Sequence, residues 1–88
     1  MYSGELILTN ESCVPLSLTK LFKDTFGLSE EVSDCKDADA LCRTVIKHNA
    51  HWSCILKVVR DDATQTRLQY EDSLGNIYYL IANKTGNV

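Results

Sequence analysis

Three stretches in the last third of the chain, Cys54–Arg60, Arg67–Asp72 and Asn76–Ala82, alternate apolar and polar side chains, with turn-rich breaks between them. Alternation of period two marks strands that bury one face. The breaks are Asp61-Asp62-Ala63-Thr64 and Asp72-Ser73-Leu74-Gly75. Connections this short join antiparallel neighbours, because a parallel pair needs a long crossover. The second break suits a type I turn followed by a glycine bulge.

That hairpin sets a register. With Ser73, Leu74 and Gly75 as the loop, Asp72 faces Asn76, and the pairs run back as Glu71 with Ile77, Tyr70 with Tyr78, Gln69 with Tyr79, Leu68 with Leu80 and Arg67 with Ile81. Successive side chains point to opposite faces. Leu68, Tyr70, Tyr78 and Leu80 are therefore expected beneath a helical layer, and Arg67, Gln69, Glu71, Ile77, Tyr79 and Ile81 on the outside. In the preceding strand Cys54, Leu56 and Val58 are expected in the core, with Ile55, Lys57 and Val59 outward.

Glu5–Thr9 reads as a first strand, ended by Asn10, Glu11 and Ser12. Pro15 precedes an expected helix capped by Ser17, with Leu16 stapled against Leu21 and an apolar face of Leu18, Leu21, Phe22 and Phe26. Gly27 ends it, and Leu28 folds back near Phe22. Ser29–Lys36 is expected to be a polar, acidic connection with a helical turn at Glu30–Val32. A second helix runs from Asp37 to Asn49 on a stripe of Ala38, Leu41, Cys42, Val45 and Ile46. Asp37 and Asp39 at its start and Lys47 and His48 at its end suit the helix dipole. The predicted class is α+β, ordered β-α-α-β-β-β, an antiparallel sheet with both helices on one face. Residues 1–88 make one domain.

The outer sheet face carries Ile55, Lys57, Val59, Arg67, Gln69, Glu71, Ile77, Tyr79 and Ile81, more apolar than a solvated face needs. Exposed apolar surface of this kind marks contact sites, and Tyr and Arg are frequent anchors. Twist of the sheet, or cover by the N-terminal segment, is the competing explanation. The expected function is a non-enzymatic protein-binding module, an inhibitor or adaptor; homodimerisation through the same face is a special case. In size and acidity the chain is similar to small single-domain proteins of phages and mobile elements that occlude a host complex, a likeness that rests on no motif.

Chemistry has fewer footholds. Cys42, His48, His51 and Cys54 form the one cluster that suggests a zinc or thiol site. No CxxC or HxxxH pairing occurs, and Cys42 falls on the apolar stripe. Cys54 with His51 or His48 and Asp39 would make a nucleophile and base, yet there is no nucleophile elbow or oxyanion loop. No glycine pair has phosphate-loop spacing. No enzyme activity and no cofactor are expected, and Trp52, at the helix-to-strand junction, reads as a core anchor.

The formal charge of −3 and scattered bases argue against a nucleic-acid partner. Glu30, Glu31, Asp34, Asp37 and Asp39 would serve a nucleic-acid mimic, although helix starts favour acids anyway. Tyr79 with Arg67 and Lys57 is a thin version of a single-strand platform. No run approaches the ~18 apolar residues of a membrane span. The first ten residues lack the pattern of a signal peptide, so a cytoplasmic location without disulfides is expected. The sequons at Asn10 and Asn83 would matter only in a secreted chain.

Overall fold

A computed structural model describes residues 2–18, 22, 28–52 and 55–85. Strands β1 (Tyr2–Asn10) and β2 (Pro15–Leu16) lead to helices α1 (Leu28–Ser33) and α2 (Ala38–His48). A 3-10 turn at Ala50–Trp52 precedes β3 (Lys57–Asp61), β4 (Gln65–Glu71) and β5 (Ile77–Lys84). The strands form one antiparallel sheet in the order β2-β1-β5-β4-β3. The α+β class, with an antiparallel sheet and two helices, is as the alternation predicts.

The β3–β4 and β4–β5 hairpins each begin with an aspartate that organises its own turn. Asp62 Oδ1 accepts from Thr64 N at 2.8 Å and Gln65 N at 2.9 Å, and Asp72 Oδ1 accepts from Leu74 N and Asn76 N, both at 2.9 Å. Gly75 takes the left-handed φ of +86° that the bulge requires. The β4–β5 register follows directly, from Glu71 opposite Ile77 to Arg67 opposite Ile81, as the turn chemistry predicts.

One sheet face builds the core. Leu8, Leu80 and Leu68 lie in one cross-strand row and are fully buried. They join Leu28 and Val32 of α1 and Leu41 and Val45 of α2 in a single cluster. Trp52 is the anchor its position suggests: it stacks on Tyr70 with centroids 4.1 Å apart and meets Phe22 at 4.9 Å. Rings in such geometry add to plain area burial.

At the sheet's far end the Tyr2 hydroxyl, 2.6 Å from Thr66 Oγ1, sits in a buried chain. Thr66 donates to Asp61 Oδ1 at 2.8 Å, and Lys84 Nζ reaches the same oxygen at 2.9 Å. Burial pushes the Tyr2 phenol above its ordinary pKa.

Helix α2 is framed as its caps dictate. Asp37 Oδ1 accepts from Ala40 N at 2.9 Å, and Asn49 N donates to Val45 O at 3.0 Å. Of the expected stripe, Leu41 and Val45 are fully buried, while Ala38, Cys42 and Ile46 are half-buried.

Several expectations need correction. Leu28, read as a residue past a helix end, opens α1, because Leu28 and Val32 one turn apart both reach the core. The helical turn expected at Glu30–Val32 within the connection is thus longer, a six-residue helix over Leu28–Ser33, and residues 34–36 complete the connection. Pro15 and Leu16 pair with Thr9 and Leu8 as β2. The first strand extends to Tyr2 and Asn10, with an irregularity between Tyr2 and Leu6. The helix expected from Ser17 to Phe26 lies largely outside the described residues, although Phe22 N donates to Leu18 O at 2.8 Å in helical fashion. No helix among the described residues is long and apolar enough to cross a membrane.

Candidate functional site

The sheet face opposite the core cluster is set by register. One row runs Ile7, Ile81, Arg67 and Arg60 across four strands. The next runs Thr9, Tyr79, Gln69 and Lys57. Ile77 and Glu71 pair beyond them. Arg67, Gln69, Glu71, Ile77, Tyr79 and Ile81 thus share the face that alternation predicts. All but Glu71 are half-buried, and Glu71 is exposed.

Two expected members of the face, Ile55 and Val59, sit differently. Ile55 is not on the sheet: its N–H and that of Leu56 both bond back to Trp52 O, at 3.0 and 2.8 Å, and this turn delays β3 until Lys57. A register shift between Val58 and Arg60 makes Val59 the extra residue, so Arg60 faces Arg67 instead. Val58, expected in the core, shares the side of its partner Leu68 but stays 42% exposed at the sheet edge. Lys57, opposite Gln69, is placed as expected and is exposed. Cys54 lies outside the described residues.

The turn between β1 and β2 closes one end of the face. Asn10 Oδ1 accepts from Ser12 N at 3.0 Å and Val14 N at 3.1 Å, and Asn10 O accepts from Cys13 N at 2.9 Å. These bonds hold Cys13 at φ +65°, in the left-handed region. Against this turn lies a cleft of ≈ 400 Å³ lined by Thr9, Glu11, Cys13, Arg67, Tyr79 and Ile81. The Arg67 guanidinium carbon is 5.9 Å from the centre of the Tyr79 ring, a cation–π arrangement. Arg67 Nε is buried with no acceptor among the described residues. On the other side of Glu11, a second hollow of ≈ 320 Å³ is lined by Asn10, Ser12, Leu16, Asn76, Ile77 and Tyr78.

Ile7, Thr9, Glu11 and Cys13 escape the sequence reading. Alternation in Glu5–Thr9 already places Ile7 and Thr9 on one side. Nothing local says that this strand lies beside Ile81 and Tyr79. Asn10, as a turn-forming residue, was the available signal for the wall.

The cysteine–histidine cluster has a different setting. His48 Nε2 bonds to Glu31 Oε2, and Lys47 Nζ holds Glu31 Oε1 at 3.0 Å, so this end of α2 is tied to α1. Cys42 is half-buried, and burial, with Asp39 nearby, pushes its thiol pKa up, away from the thiolate that metal binding or nucleophilic attack needs. Cys54 and the His51 side chain lie outside the described residues. Among those described, no three Cys, His, Asp or Glu side chains converge on a metal-sized site.

No family model, no curated protein and no solved structure matches this chain.

Proposed function

We propose that the chain is a non-enzymatic protein-binding module, an inhibitor or adaptor, that engages its partner through the outer sheet face. The observation that carries this reading is the strip Ile7, Ile81, Tyr79 and Ile77, which lies opposite the helix-covered core and stays partly open. A face that met only water would carry polar side chains at these alternate positions. The mode is steric: Tyr79, Ile77 and Ile81 bury against the partner, while Arg67, Gln69 and Glu71 fix its orientation.

Affinity capture from cells of the source organism, paired with hydrogen exchange on the recovered complex, tests this reading. The unmodified chain and Arg43→Ala, altered on the far helix, retain the same partner, and Tyr79→Asp loses it. Because Tyr79 lies outside the core cluster, its replacement lowers unfolding free energy by only about 1 kcal/mol, the span of strand preference. Retention by Tyr79→Asp, or exchange protection confined to α1 and α2, refutes the proposal.

A further inference from the structure

We infer that the outer cleft receives a carboxylate side chain from an extended peptide segment of the partner, with Arg67 as its anchor; the inference rests on the outer face being the docking surface. Charge complementarity points to it. Arg43 holds Asp39 at 2.8 Å, Lys47 holds Glu31 at 3.0 Å, Arg60 holds Asp62 at 2.6 Å and Lys84 holds Asp61 at 2.9 Å. Arg67 and Lys57 hold no carboxylate among the described residues, and both lie on the outer face. Lys36, just before α2, is the other described base in that condition.

Arg67 is also prepared for such a partner. Its guanidinium carbon lies 5.9 Å from the centre of the Tyr79 ring, a contact that narrows the side chain's freedom before binding. Its Nε is buried and has no acceptor among the described residues, and a charged donor held away from water in that way gains from a partner. Guanidinium is planar, permanently charged and matched to a carboxylate. Ile81 and Tyr79 form an apolar wall for a residue flanking that acid.

Glu11 limits what else can enter. It lines the same cleft yet makes no ion pair with Arg67. A phosphate backbone would bring several negative charges past Glu11 and Glu71, and it needs many bases to neutralise it. A single carboxylate brings one negative charge where the backbone brings several, so it meets less of that repulsion while Arg67 pairs it. The geometry therefore favours peptide over nucleic acid.

Terminally blocked peptides of alternating Leu and Thr, with a central Glu, Gln or Lys, provide the probes, beside a short single-stranded oligonucleotide. Binding is followed by fluorescence anisotropy across a salt series and by amide chemical shifts. The Glu peptide is expected to bind at least about tenfold more tightly than the Gln peptide, and to weaken with salt. It should move the amides of Thr9, Tyr79 and Ile81. Arg67→Gln erases the preference, Arg67→Lys keeps part of it, and Arg43→Gln changes nothing.

Equal binding of the Glu and Gln peptides, a preference for the oligonucleotide, or indifference to Arg67→Gln overturns the inference. If the Gln or Lys peptide moves the same amides more strongly, the docking face stands and the carboxylate anchor falls. If no probe moves them, or self-association at rising concentration does so instead, an acidic peptide is not the occupant.

Discussion

At the scale of single residues, two glycines show how backbone freedom serves different ends. Gly75 has φ +86° and open space where a side chain would project. Its role is conformational. Gly4 has φ +91°, and a Cβ there would lie 3.0 Å from Ser29 O and 3.2 Å from Ser29 Oγ. Ser29 Oγ donates to Gly4 O at 2.6 Å, so α1 is fastened against β1 where glycine permits close approach. Gly75→Ala is expected to cost about 1–2 kcal/mol, the strain of a left-handed L-residue. Gly4→Ala carries that strain plus about 1–3 kcal/mol of overpacking. Asparagine tolerates the left-handed region, so Gly75→Asn recovers most of the loss and Gly4→Asn recovers none. Urea unfolding of the four variants checks this, and equal losses at both positions would show that the Ser29 approach is not tight.

Among the elements, carboxylates that fasten two segments together give the fold a defined acid limit. Hydrogen bonds from His48 and then Lys47 lower the pKa of Glu31 from its ordinary 4.5. Lys84 and then Thr66 lower that of Asp61, while the Thr64 hydroxyl and the turn amide of Gln65 lower that of Asp62 from 3.8. A depressed folded-state pKa means that the unfolded chain takes up protons first. The stabilisation is complete above the ordinary carboxylate range and is lost as pH falls through it toward the folded values. Stability should therefore hold from pH 7 to about 5 and decline below. Glu31→Gln is expected to lower the urea midpoint at neutral pH and to differ progressively less from the unmodified chain at acid pH, as Glu31 becomes protonated in the folded state as well. A parallel offset at neutral and acid pH would mean that Glu31 acts through shape alone.

Element by element, the fold was legible where its determinants are local. Asp72, Gly75 and the alternation on either side of them lie within one hairpin, and they yield the register of β4 and β5 without knowledge of the rest. Asp37 and Asn49 frame α2 in the same local way. Helix α1 was harder to see, because Ser29, Glu30 and Glu31 suit a loop as well as a first turn. Leu28 and Val32 alone mark its buried side. The bulge at Val59 was hidden because Val58 and Val59 are both apolar, and alternation does not reveal a sheet edge. The candidate cleft was half legible: Arg67, Tyr79 and Ile81 come from one hairpin, whereas Glu11 and Cys13 reach it through the long-range pairing of β1 with β5.

Considered whole, the molecule concentrates its stability on one side of the sheet and leaves the proposed docking residues on the other. The rings of Phe22, Trp52, Tyr70 and Tyr78 form a continuous column that joins the segment after α2 to the inner face of β4 and β5. Trp52 is fully buried at its centre. A chain of this size holds roughly 5–10 kcal/mol in total. Truncating a buried Trp costs about 3–5 kcal/mol, so Trp52→Ala should bring the fold close to its stability threshold. Leu74, 85% exposed at a hairpin tip, is the matched control, and Leu74→Ala should leave unfolding unchanged. Arg67→Gln and Tyr79→Asp are expected to stay within about 1 kcal/mol of that control while losing the partner. Thermal unfolding and binding, measured on all four variants, would then separate into two independent sets. A single ranking, in which affinity merely tracks stability, would mean that the outer face acts only through the integrity of the core.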